Sequence, residues 1–176
     1  MGRLGVGLFV AGLLAGCSTE PSARVTRGLY GATLDARAAI EKIQRSLPVT
    51  DRGFGEGVAE LEAAVRRFDA LEQDPAASDG QRLKAILGEA RAWDDASRAI
   101  LGAHLLEVDE PVAEEILREK AFPAKIAAAN AYRRALAFAC ALDNKHGADA
   151  DNVIPEILDG LTRTAGNATA PDAACR

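Results

Sequence analysis

Apolar residues return every three or four positions along almost the whole chain beyond residue 24, and this periodicity constrains the fold more than any other feature. Val25, Leu29, Ala32, Ala36, Ala39 and Ile43 form one such stripe, and Val58, Leu61, Val65, Phe68 and Leu71 form the next. That step keeps the residues on one face of an α-helix and would scatter them over both faces of a strand. No segment alternates apolar with polar residues. Asp79-Gly80 and Asp159-Gly160, which elsewhere could turn a hairpin, fall within helical surroundings. Aromatic residues make up only 5% of the chain, too few for the aromatic and β-branched runs of a large sheet.

The punctuation between stripes sets the expected elements. The first helix is expected to stop at Pro48, and Gly53, Gly55 and Gly57 to mark a loose turn before the second. The second ends before Asp74-Pro75, and Ser78 or Asp79 is placed to cap the third. In the third, Leu83, Ile86, Ala90, Trp93, Ser97, Ile100 and His104 make a stripe broad enough to touch neighbours on two sides, with Trp93 in the core. Asp109-Glu110-Pro111 restarts the chain, since proline is tolerated in a first turn. Pro123 then falls inside a helical pattern and is expected to break or kink it. Ile126, Ala129, Tyr132, Leu136 and Cys140 continue that pattern to about Lys145, with a stop at Gly147. A short last helix near 153–165, capped by Asp151 or Asn152, buries Ile154, Ile157, Leu158 and Leu161. The expected fold is all-α: an up-down helical bundle of four main helices plus a short C-terminal helix.

The first sixteen residues do not belong to that bundle. Arg3 is followed by an apolar stretch from Leu4 to Leu14, the length of a secretory signal and too short to span a bilayer comfortably. It ends in Leu14-Ala15-Gly16-Cys17, which resembles the lipobox of bacterial lipoproteins. The resemblance implies cleavage before Cys17 and lipidation of that cysteine, and Ser18 in the next position implies the periplasmic face of the outer membrane in a Gram-negative host. The expected organisation is a signal peptide over 1–16, a lipidated tether over 17–22, a helical domain over 23–165 and a polar tail over 166–176. With Arg3 removed, 21 basic residues become 20 against 26 acidic ones, so the net charge moves from −5 to −6. A mildly acidic chain is a poor partner for nucleic acid.

In an oxidising compartment the two remaining cysteines, Cys140 and Cys175, are expected to pair, the alternative being a buried free Cys140 beside a loose Cys175. Closing that loop contributes ~3–4 kcal/mol in the chain-entropy picture.

Sites for chemistry are sparse. His104 and His146 are the only histidines, and His104 with Glu107 forms a single reversed pair where a di-metal bundle needs two Glu-x-x-His pairs facing inward. Asp143, Asn144, Asp149, Asp151 and Asn152 make an oxygen-rich loop, but the spacing differs from the ~12-residue calcium loop. There is no Gly-x-Ser-x-Gly, and the Gly53–Gly57 cluster lacks the lysine of a phosphate cradle. The adjacent carboxylates Asp94-Asp95 and Glu114-Glu115 suit a solvated surface. No cofactor, metal or catalytic residue is expected.

Leu87 to Pro111 and Ala131 to Asp143 loosely resemble parts of a tetratricopeptide repeat, but their spacing falls short of the ~34-residue unit and no complete second copy follows. The expected function is that of a lipid-anchored domain that grips an envelope protein between its helices. Phe122, Pro123, Tyr132 and Phe138, gathered around the interruption at Pro123, form the candidate interaction surface, and the same residues suit a core equally well. The alternative is a small-molecule or metal-binding bundle with its site near His104 or near Asp149 and Asp151.

Overall fold

The computed structural model describes residues 20–46, 52–104, 110–146, 153–166 and 175. Its helices are α1 (Pro21–Arg45), α2 (Arg52–Glu72), α3 (Asp79–His104), α4 (Glu110–Ile116), α5 (Phe122–His146) and α6 (Ile154–Ala165), and a π turn over Leu117–Ala121 joins α4 to α5. Among the described residues there is no strand.

Ion pairs fix the directions. Arg24 near the start of α1 meets Asp74 just beyond α2, while Lys42 near the end of α1 meets Glu56 and Glu60 early in α2, so these two helices are antiparallel. Gln81 in the first turn of α3 donates to the Ser22 carbonyl and to Thr26 Oγ1, both at 2.9 Å, which sets α3 parallel to α1. Arg134 of α5 pairs with Glu89 of α3, and Arg163 of α6 with Asp94 of α3. The result is an up-down bundle in which α3 is the central rod, with α1 and α2 packed on one side and α5 and α6 on the other.

The start of α3 shows how local sequence sets an element. Ser78 Oγ accepts from the Gln81 backbone N–H at 3.3 Å, and the Gln81 side chain accepts from the Ser78 N–H at 2.9 Å, a reciprocal capping box. The same Gln81 amide then uses its N–H donors on α1. α6 begins with Pro155 in its first turn and closes on Gly166 at φ 73, a left-handed position that glycine takes without strain.

Three expectations are corrected. Gly53, Gly55 and Gly57 lie inside α2 rather than in a turn. Gly57 explains why: a Cβ there would sit 2.9 Å from Ile43 Cγ1 and 3.2 Å from the Ala39 carbonyl, so its bare Cα lets α2 press against the α1 backbone. α1 ends at Arg45, before Pro48, which lies outside the described residues, as do Gly147, Asp151 and Asn152. Pro123 does not break the helix. The Phe122 N–H bonds to the Leu117 carbonyl, five residues back, and this wider turn accommodates the proline that follows. Pro21 and Ser22 already belong to α1.

Two clusters of buried side chains meet on α3. Ala92, Ala96, Ala99 and Ile100 join α1 and α2 in one, and Leu83, Ile86, Leu87 and Ala90 join α5 and α6 in the other.

Candidate functional site

Between α2 and α5 the bundle is open. The two helices flank α3 without packing closely on each other, which leaves a cleft of about 270 Å³. Val58 and Leu61 of α2 form one wall, Pro123, Ala124 and Ala127 the other, and Trp93 and Ile100 of α3 the floor. Small residues on α5 are what keep the far wall back, since alanine and proline fill little of the space. Trp93 is therefore only half-buried, a large apolar ring left partly uncovered. Charges sit at the edge: Glu62 on α2, and Glu119 and Lys120 in the π turn.

One end of the interface between α2 and α5 is closed by charge. Arg134 reaches from α5 to Asp69 at 3.9 Å and Glu72 at 3.5 Å on α2, and also pairs with Glu89 on α3. Glu89 is buried, and that burial pushes its carboxyl above the ordinary value despite the attraction of Arg134. The three carboxylates come within 4.8 Å of one another, a grouping that could hold a cation, and the Arg134 guanidinium already occupies that role.

A second polar group is internal. Asp94 on α3 is buried and accepts from Arg163 Nη2 at 2.9 Å and Nε at 3.1 Å, with the Tyr132 hydroxyl at 3.5 Å. Burial, then the neighbouring Asp94 charge, pushes the Tyr132 hydroxyl up to about 12. The group is a cross-brace: it ties α3, α5 and α6 with its charges paired, and none of its residues lines the cleft.

The structure separates the residues expected to form an interaction surface. Phe122 is 50% exposed and Pro123 lines the cleft. Tyr132 is 1% exposed and belongs to the core, correcting its assignment to a surface: its ring packs against Gly160 of α6, where a Cβ would overlap the ring carbons. Phe138 is half-buried against the α3–α5–α6 cluster. Ile126, expected in the buried stripe, is 61% exposed and stands one turn from Phe122. The spacing of four between them was the signal for a shared outward face. Asp94, expected on a solvated surface, is the buried anion, because its partner Arg163 folds onto it from another helix.

Cys140 and Cys175 are joined by a disulfide, with Cα atoms 5.3 Å apart. Cys17, Asp149, Asp151 and the side chains of His104 and His146 lie outside the described residues. Among the described residues no helix is long and apolar enough to cross a membrane. No protein-family model matches the chain, and no curated protein or solved structure matches it either.

Proposed function

We propose that this chain is a lipid-anchored envelope lipoprotein whose helical bundle binds a protein partner in an accessory, assembly or scaffolding role at the periplasmic face of the outer membrane. The anchor half of the reading is supported by Leu14-Ala15-Gly16-Cys17 at the end of an apolar stretch. The binding half is supported by one observation above the others, the apolar cleft with the half-buried Trp93 on its floor. A cleft of this kind, with few convergent polar groups, suits an apolar side chain or helix face better than a polar small molecule. Phe122 and Ile126, exposed on the neighbouring face of α5, extend the apolar area beyond it. The sequence carries no recognisable nucleophile–base motif, and the reading proposed is therefore a binding protein rather than an enzyme.

The test is crosslinking of the intact lipoprotein in its native membrane, with a photoreactive residue at Glu62 on the cleft edge, followed by mass spectrometry. A stoichiometric envelope protein, lost in a Cys17→Ser variant, is expected. Recovery of this chain alone from both would remove the interaction reading and leave a ligand-binding bundle as the alternative.

A further inference from the structure

α1 carries a second unpartnered face, and it lies next to the anchor. Arg27, Tyr30, Leu34 and Arg37 follow one another at steps of three and four, so they share one side of the helix. That side points away from the stripe of Val25, Ala32, Ala36, Ala39 and Ile43 that α1 buries, with Arg37 at its edge beside the groove to α3. Tyr30 is 68% exposed and Leu34 45%, two of the four large apolar residues left in solvent among the described residues. No described residue pairs with Arg27 or Arg37, although most other arginines of the bundle have a carboxylate partner.

The chain leaves little freedom between this helix and Cys17. Pro21 already begins α1, and Gln81 pins the first turn through the Ser22 carbonyl and Thr26 Oγ1. Three residues separate Cys17 from Pro21, and the four steps between them span at most about 14 Å when fully extended. Tyr30 lies a similar distance, about 14 Å, further along the helix.

We infer that the outward face of α1 is a membrane-contact surface: the helix lies along the bilayer that holds the Cys17 lipid, with Tyr30 and Leu34 at the interface and Arg27 and Arg37 against lipid phosphates. The inference rests on the lipoprotein reading above and names the orientation it implies. An aromatic and an aliphatic residue flanked by arginines is the composition of a helix that rests in a headgroup layer. The charge of the face complements an anionic surface, since Arg27 and Arg37 are unopposed and Glu41, one turn further on, is paired with Arg45, although the chain as a whole is acidic. Among the described residues, the end of the bundle nearest the anchor lacks that combination. It presents Glu20 and Asp79 without described partners, the paired Arg24 and Asp74, and no exposed large apolar residue. The other exposed apolar pair, Phe122 and Ile126, lies on α5, which α3 separates from α1, and stays free for a protein.

The experiment uses the full-length lipoprotein reconstituted in phosphatidylethanolamine/phosphatidylglycerol vesicles that contain a headgroup-nitroxide lipid. Because Cys140 and Cys175 are bonded and Cys17 is acylated in this reading, a single added cysteine takes a fluorophore selectively. Ala38→Cys places it on the outward side of α1, about 25 Å beyond Pro21, and Asn130→Cys places it on the exposed side of α5. Quenching severalfold stronger at 38 than at 130 is expected, falling to the level of 130 when Tyr30→Glu and Leu34→Glu are added. Equal quenching at both sites, or stronger quenching at 130, with Cys17 lipid confirmed by mass, would overturn the orientation and leave the lipoprotein reading standing. Absence of lipid on Cys17 would overturn both.

Discussion

The two halves of the bundle share α3 but hold to it by different means. On the α1–α2 side alanines such as Ala32, Ala36, Ala39, Ala64, Ala92, Ala96 and Ala99 are buried in alternation with larger side chains such as Ile43, Leu61 and Phe68, and Gly57 brings α2 against the backbone of α1. Long helices with small contact residues approach closely, and their dispersion contacts extend over many turns. The ion pairs of this half, such as Lys42 with Glu56 and Glu60, are exposed and contribute little. On the α5–α6 side alanine has a smaller share, and Leu83, Ile86, Leu87, Ile157 and Leu158 surround Tyr132. α6 has only 12 residues, too few to hold itself by packing area alone. Its place is secured instead by the buried Asp94–Arg163 pair and by the disulfide that returns Cys175 to α5. The lesson is that a long helix can rely on surface fit, whereas a short one at the edge of a domain needs point fastenings.

That contrast can be broken at the fastenings. Cys140→Ser with Cys175→Ser is expected to lower stability by ~3–4 kcal/mol in the entropic account, and Tm by roughly 10 °C for a domain of this size. Hydrogen exchange should locate the loss in α6, with the amides of the α1–α2 hairpin keeping their protection. Equal loss in both halves would mean that the halves are not distinct.

Next in size is Asp94→Ala, which leaves Arg163 and the Tyr132 hydroxyl without their shared acceptor. A cost of about 2 kcal/mol is expected in chemical denaturation. It falls below the ~3–5 kcal/mol of a wholly buried pair because Arg163 remains one-third open to solvent and keeps Asp159.

A matched pair of glycines compares the halves directly. Gly88 on α3 receives the Phe68 ring and Gly160 on α6 receives the Tyr132 ring, each closer than a Cβ would allow. Gly88→Ala and Gly160→Ala should each cost about 1–3 kcal/mol through overpacking. Gly160→Ala should cost less, because the short α6 can shift whereas α3 is held on both sides. The reverse order would show that the disulfide and Asp94 hold α6 more rigidly than packing holds α3.

The smallest effect concerns the charge cluster around Arg134. Burial raises the Glu89 carboxyl above 4.5, so the folded state binds that proton more tightly than the unfolded chain does. The resulting stability is present at acid pH and is lost as pH rises through the raised value. Glu89→Gln should therefore be neutral or stabilising by under ~1 kcal/mol at pH 7, with the advantage vanishing toward pH 4. Thermal melts at the two pH values check this, and a destabilised variant at pH 7 would show that the Arg134 pair outweighs the burial.

Much of the architecture was legible in the sequence because amphipathic stripes depend on neighbours three and four residues away. Val25, Ala32, Ala36, Ala39 and Ile43 are all buried as their spacing requires, and the broad stripe of α3 does meet neighbours on two sides. The bond between Cys140 and Cys175 was legible from their number and the inferred compartment. What was not legible depends on contacts distant along the chain. Gly57 looks like a turn residue until α1 is packed against it. Asp94 looks solvated until Arg163, 69 residues later, arrives beside it. Pro123 looks like a helix end because nothing local announces that the chain will widen into a π turn just before it. The cleft itself was half legible: Pro123 marks its wall, but an open space between α2 and α5 follows from their separate packing on α3 and from no residue pattern of either.

Lipidation of Cys17 underlies both the proposed function and the orientation of α1. Its direct test is the intact mass of the mature protein extracted from the membrane fraction, followed by sequencing of its N-terminal peptide. The account predicts a chain that begins at Cys17 and carries a diacylglyceryl group on the sulfur. A chain that begins at another residue, or that keeps an unmodified Cys17, would contradict it.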